Sequence, residues 1–317
     1  MTFDCLTNDK LSKLSRNELI ELKEQIKTSK LYYRDSLGLD KSITFGMEIE
    51  YEDLDKRLVD SYIKTKQYDW VSDFDDTVST GGEIKSYILT DKITTWNELG
   101  NICSYLEGEQ AVTNKDAGGH IHIGSHILKG NYAFWRQFLK TYILYEKELL
   151  TFLAGEEKKL RPLARKYASP IAPAILEDID YLNSATDFLD IYYQVFFKDR
   201  NWAVNFTNVL PDSAKKYYKN TLEFRSPNSS KKDIIWQNNT NTLIKLMIAP
   251  EKGLIDEELI DYKLNRGFSN ITSDEKVLEF VDTIFDNNLD KLYFLKQYTK
   301  SFNFDKKVHL GKVKSIF

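Results

Sequence analysis

The chain has 317 residues, 42% of them hydrophobic and 13% aromatic, which is enough for one large or two modest domains with a sizeable core. A net charge of −4 and a pI near 5.7 give no electrostatic reason to expect nucleic acid or an anionic membrane as the main partner. Cys5 and Cys103 are too few and too far apart for a disulfide framework or a zinc site, and residues 1–30 lack a continuous apolar stretch, so the expected setting is reducing and cytosolic, with neither signal peptide nor membrane span.

Ser15-x-x-Glu18 is a capping box with Leu14 and Leu19 placed as a staple, and Leu19, Leu22 and Ile26 keep helical spacing. The spacing predicts a helix from about Arg16 to Tyr33, ended by Gly38. Ile43 to Glu52 then alternates: Thr44, Gly46, Glu48 and Glu50 share one strand face, and Ile43, Phe45, Met47, Ile49 and Tyr51 the other. The acidic side of such a strand is either wet or supplied with cations, because ionised carboxylates are not buried bare.

Between Tyr68 and Ser86 the pattern reads as strand, acidic turn at Asp75-Asp76, and a second strand carrying Glu83 behind two glycines. Thr95 to Glu107 is an amphipathic helix that places Trp96, Leu99, Cys103 and Leu106 in the core. The stretch Ala117 to Gly124, A-G-G-H-I-H-I-G, holds two of the four histidines. As a strand it turns His120 and His122 to one face, a pattern that points to metal or phosphate contact. His126 and His309 receive no role.

Asn131 to Leu153 is a core helix with an aromatic stripe. Arg161, Arg165 and Lys166 read first as a solvated basic patch, with anion guidance as the alternative. Ser184-x-x-Asp187 is expected to cap a helix through Phe197. Arg200 to Phe206 reads as a strand, 211–220 as a connection, and Thr221 to Ser226 as the hairpin partner with Glu223 and Arg225 on one face. Helices follow over Ile234 to Ile248, from a Thr272 cap through Phe285, and from Leu289 to about Phe302.

Three strands with the same period, together with the strand that carries Glu83, therefore present Glu48, Glu50, Glu83, His120 and Glu223. This set, mostly oxygen with little nitrogen, suits magnesium or manganese better than zinc. Several carboxylates on one face suggest more than one ion, a device that clamps polyphosphates, with Arg225 matched in shape to a transferred phosphate. There is no P-loop, no kinase H-R-D or D-F-G set and no nucleophile elbow, so a phosphoryl-using site would stand on an antiparallel sheet.

The ordered motifs G-M-E-I-E, D-D-T-V…G-G-E-I-K-S, G-G-H-I-H-I-G, R-N-W-A-V-N-F and T-L-E-F-R-S, from about Ile43 to Leu246, resemble the amidoligase family of the carboxylate–amine ligase superfamily, alongside glutamine synthetase and glutamate–cysteine ligase. The resemblance implies an α+β fold: a curved antiparallel sheet of the glutamine synthetase catalytic type with helices on its outer face. The organisation it implies is an N-terminal helical segment (1–40), a catalytic domain (41–250) and a C-terminal helical extension (251–317) of that domain. It implies ATP and Mg2+ (or Mn2+), a carboxylate and an amine as substrates, and an amide formed through an acyl phosphate. Glu50 and Glu83 would hold one metal, and Glu48, His120 and Glu223 the other. Arg225 would stabilise the transferred phosphoryl group and Arg200 the ATP phosphates, with His122 as adjacent support and Asp75 as acceptor of the amine proton. Two departures, Asp75-Asp76-Thr77 for Asp-Gly-Ser and Tyr87 for proline, bear on substrate identity more than on ATP use. The rival readings are a phosphotransferase on the same kind of sheet and a metal-dependent hydrolase of the H-x-H type, which lacks the further histidines it needs. Oligomeric state is left open.

Overall fold

The computed structural model describes residues 15–75, 77–78, 80–113, 116–192, 201–209, 219–266 and 273–301. The chain enters through α1 (Arg16–Thr28), where the Ser15–Glu18 capping box forms in both directions. The helix stops at Thr28, well before Tyr33 and without Gly38. The reason lies far away in sequence: the buried Lys296 ammonium donates to the carbonyls of Ile26 (2.8 Å), Lys27 (3.2 Å) and Ser29, capturing the carbonyls that a longer helix would use.

After β1 (Phe45–Glu52) comes α2 (Lys56–Lys66), N-capped by the Asp55 carboxylate and not expected from the sequence. The strands β2 (Val71–Asp73) and β3 (Gly81–Lys85) flank the acidic turn as anticipated, and α3 (Ile93–Gly108) follows. β4 (Gly119–Gly124) runs through a single 3-10 turn (Ser125–Leu128) into α4 (Tyr132–Leu153), capped by Asn131. Four short helices then cross the surface: α5 (Ala164–Tyr167), α6 (Ala172–Glu177), α7 (Ile179–Ser184) and α8 (Phe188–Ile191). Ser184 closes α7 and caps nothing; the cap of α8 is Asp187, which accepts from Asp190 N at 2.9 Å. The expected continuation to Phe197 lies outside the described residues.

β5 is only Val204–Asn205, shorter than the expected strand from Arg200, and pairs with β6 (Thr221–Phe224). The chain ends in α9 (Asp233–Ile248), α10 (Glu257–Arg266), α11 (Ser273–Ile284) and α12 (Asn288–Tyr298). Thr272 and Phe302 lie outside the described residues. Among those described, no helix is long and apolar enough to cross a membrane.

The fold is α+β. Its six strands form one open antiparallel sheet in the order β2-β3-β1-β4-β6-β5. Alternation decides the faces. Phe45, Met47, Ile49, Ile121, Ile123, Leu222 and Phe224 are at most 2% exposed and face the helical layer. There Phe45 stacks on Trp96 of α3, and Phe224 meets Phe138 and Tyr142 of α4. At about 1.5–3 kcal/mol per buried large apolar side chain, this face dominates the stability of the sheet. Gly119 lies over Trp236 of α9, and a Cβ there would drive into the indole ring. The opposite face carries the acids and imidazoles.

Candidate active site

Register brings the polar side chains of four strands together. Glu50 stands opposite Glu83, Glu48 opposite both His120 and Lys85, and His122 opposite Glu223. Glu48 is the hub: its Oε2 lies 2.8 Å from His120 Nδ1 and its Oε1 3.0 Å from His122 Nε2. Glu223 and Glu50 close the ring around His120, at 3.6 Å from Nδ1 and 3.5 Å from Nε2. The oxygens of Glu223 also accept from Asn205 Nδ2 (2.8 Å) and from the Arg225 guanidinium, whose Nε is anchored on the Tyr167 carbonyl at 3.0 Å. Glu50, Glu83, His120, His122 and Glu223 are all buried.

Three overlapping groups have ligand-type atoms within 4.8 Å of one another: Glu48–His122–Glu223, Glu48–Glu83–His120 and Glu50–Asp75–Glu83. All five carboxyl and imidazole residues expected as ligands are thus on one face and in contact. Two expectations shift. His122, expected as adjacent support, stands in a ligand-type group with Glu48 and Glu223. Asp75, expected only as a proton acceptor, joins Glu50 and Glu83, with its Oδ1 accepting from Thr77 N at 2.6 Å. A cleft of about 580 Å³ lined by Asp53, Phe74, Asp75, Val78 and Gly81 opens beside it. Arg200 lies outside the described residues. His126 is away from the cluster, with Nε2 2.9 Å from the Ser42 carbonyl oxygen.

One site residue was misjudged from sequence. Arg161 is 6% exposed and not part of a solvated patch. Its guanidinium donates to the carbonyls of Pro227 (2.8 Å) and Arg225 (3.4 Å) and fills the space left by Gly118, whose Cβ it would strike. Gly118 N in turn donates to Glu50, and Glu52 accepts from Asp116 N (2.7 Å) and Ala117 N (2.9 Å), so carboxylates of β1 staple the entry to β4. The run of two glycines was the available signal: Gly118 makes room for a cation on one face and Gly119 for Trp236 on the other.

The charges are strained. Burial pushes the Glu83 carboxyl up to about 7, with the Glu48 charge adding to it and the Lys85 ammonium opposing it. Burial alone would also raise Glu48, but hydrogen bonds and charge from His120 and His122 hold it far below the carboxylate range. For His120, burial opposes the charged form and the hydrogen bond to Glu48, aided by the Glu223 charge, outweighs it, so its pKa is raised. Glu223 is lowered, the two histidines and Arg225 overcoming burial. A cluster in which one carboxyl resists ionisation while its neighbours draw a proton onto the His120 imidazole is a cluster short of positive charge. The donor set, mainly carboxylate with imidazole, fits a hard divalent cation.

The fold is mixed, with an open antiparallel sheet and a buried carboxylate–imidazole face whose side chains could hold a metal ion. A family model described as "Putative amidoligase enzyme" matches residues 56–247, more than half of the chain, and the protein belongs to that family. The family's description is that of a ligase, which places the chain with ligase-type enzymes. The match begins after β1, so Glu48 and Glu50 join the matched part through strand pairing. No curated protein matches the sequence.

Proposed function

We propose that this protein is an ATP-dependent carboxylate–amine ligase, working through an acyl phosphate on a sheet of the glutamine synthetase type with two divalent cations, magnesium or manganese. The observation that carries this reading is the convergence of Glu48, Glu50, Asp75, Glu83, His120, His122 and Glu223 on one sheet face beside two arginines. Glu50 and Glu83 would hold one cation, and Glu48, Glu223 and the histidines the other. Bound there, the cations would supply positive charge against nucleotide phosphates and a transferring phosphoryl group.

The protein's own groups do the rest. In the first step the γ-phosphoryl group of ATP passes to a carboxylate oxygen of the acid and ADP leaves. In the second the amine nitrogen attacks the acyl carbon, the carbon–oxygen bond to phosphate breaks, and orthophosphate departs with the bonding pair. Arg225, fixed on Tyr167, offers its remaining donors to the phosphoryl oxygens in both steps, as its planar fork suits. Asp75, at the mouth of the cleft, takes the proton that the amine loses. Arg161 keeps the backbone of Arg225 and Gly118 in place.

The test is incubation with ATP, Mg2+ and panels of acids and amines, followed by mass spectrometry and phosphate assay. A ligase yields ADP and orthophosphate in equal amounts and a product lighter by one water than its two substrates. A kinase yields ADP and a phosphorylated product without orthophosphate. ATP turnover that Glu48→Ala leaves untouched would refute the assignment of the site.

A further inference from the structure

Lys85 follows Glu83 by two residues on β3, so its side chain shares the carboxylate face and stands opposite Glu48. Its ammonium lies 2.7 Å from Glu83 Oε2 and 3.5 Å from Asp73 Oδ2. The two partners differ in kind. Glu83 is buried and belongs to two of the three ligand-type groups. Asp73 lies on the edge strand at the rim, with its side chain 56% exposed, and belongs to none of them. Among the described residues, the other cations of the face lack such a choice. Arg225 is tied to Tyr167 and Glu223, and Lys219 reaches Glu48 only at 3.8 Å. An ammonium and a divalent cation on the same carboxylate oxygen repel each other and compete for its lone pairs.

We infer that Lys85 is the resident counter-cation of Glu83, and that it yields this carboxylate to a divalent cation by moving onto Asp73. The inference rests on the metal-dependent reading above and adds to it a built-in competitor for one end of the site. Lys85 sets how readily the Glu83 end fills, and Asp73 is the berth that makes its withdrawal easy.

The test is Mn2+ binding to the full chain at pH 8, read by electron paramagnetic resonance of free Mn2+, with no turnover involved. Glu83→Gln identifies the class of sites built on Glu83 as the one it abolishes. Lys85→Met is expected to tighten that class by about tenfold or more while moving the other class by less than about threefold, the unmoved class also reporting an intact fold. Asp73→Asn is expected to weaken the Glu83 class by about threefold, and to do nothing in the Lys85→Met background. Lys85→Gln must repeat the result of Lys85→Met. An unchanged or weakened Glu83 class in Lys85→Met, equal shifts in both classes, or an Asp73→Asn effect that survives without Lys85 overturns the inference and leaves the metal reading standing. A wild-type chain that binds no Mn2+ overturns both.

Discussion

Glu83→Gln in the metal-free protein tests whether the acidic face is held under electrostatic stress. The Glu83 carboxyl, moved from 4.5 to about 7, disfavours its own ionised form by about 3 kcal/mol in the folded state. The sign follows from which state binds the proton. Below 4.5 the carboxyl is neutral in both states and costs nothing; between 4.5 and 7 only the unfolded chain ionises; above 7 both do and the full penalty stands. Glutamine keeps the shape without the charge and so resembles the protonated carboxyl at every pH. The variant is therefore expected to be more stable than wild type by under about 1 kcal/mol at pH 5 and by about 3 kcal/mol at pH 8. Urea unfolding in EDTA at the two pH values measures this difference, and titrating groups remote from Glu83 cancel between the two proteins. Excess Mg2+ or Mn2+ at pH 8 should then reverse the order, because the cation binds the folded wild type through the carboxylate that the variant lacks. A stability difference that does not change with pH, or a variant less stable at pH 8 in EDTA, would refute the reasoning.

Stabilisation by Mn2+, read as a rise in Tm, should grow from pH 6 to pH 8. The raised pKa of His120 gives the metal-free fold a contribution that is complete below 6.5 and fades as pH climbs through the folded value, while metal binding needs the neutral ring; a pH-independent rise would count against His120 as a ligand. Glu48→Ala and Arg225→Ala should each retain the far-ultraviolet circular dichroism of wild type and lower ATP consumption by about a hundredfold or more. Gly119→Ala, which forces a methyl group into the fully buried Trp236 ring, should lower stability by about 1–3 kcal/mol in urea unfolding, and an unchanged midpoint would mean the sheet and α9 are less closely packed than described.

The faces of the sheet were legible because a period of two is the simplest signal a chain carries. Once Ile49 and Ile121 must be buried, Glu48, Glu50, His120 and His122 have only the other side to occupy. What alternation cannot supply is register and the lean of side chains across it. His120 faces Glu48 directly, but His122 faces Gly46, which has no side chain; the imidazole therefore crosses toward the second oxygen of Glu48, and a residue expected as support stands in a ligand-type group. The α2 cap was present at Asp55 and passed over, whereas the early end of α1 was beyond local reading, because Lys296 is brought to it only by the packing of α12.

The same division explains the charges. Acids declared themselves through repeated spacing on strands, since each must share a face with its neighbours two residues away. The cations that balance them are easier to pass over: Arg161 comes from a loop, through a gap that Gly118 leaves, and Lys85 shares the spacing of Glu83 but is no ligand type. A sequence read for ligands finds the negative half of such a site and undercounts the positive half. The undercount matters, because a carboxylate already holding an ammonium is a different ligand from one that is bare. On the two-cation proposal, how tightly this face takes a second divalent cation would therefore be decided at Lys85 and Asp73 as much as at Glu83.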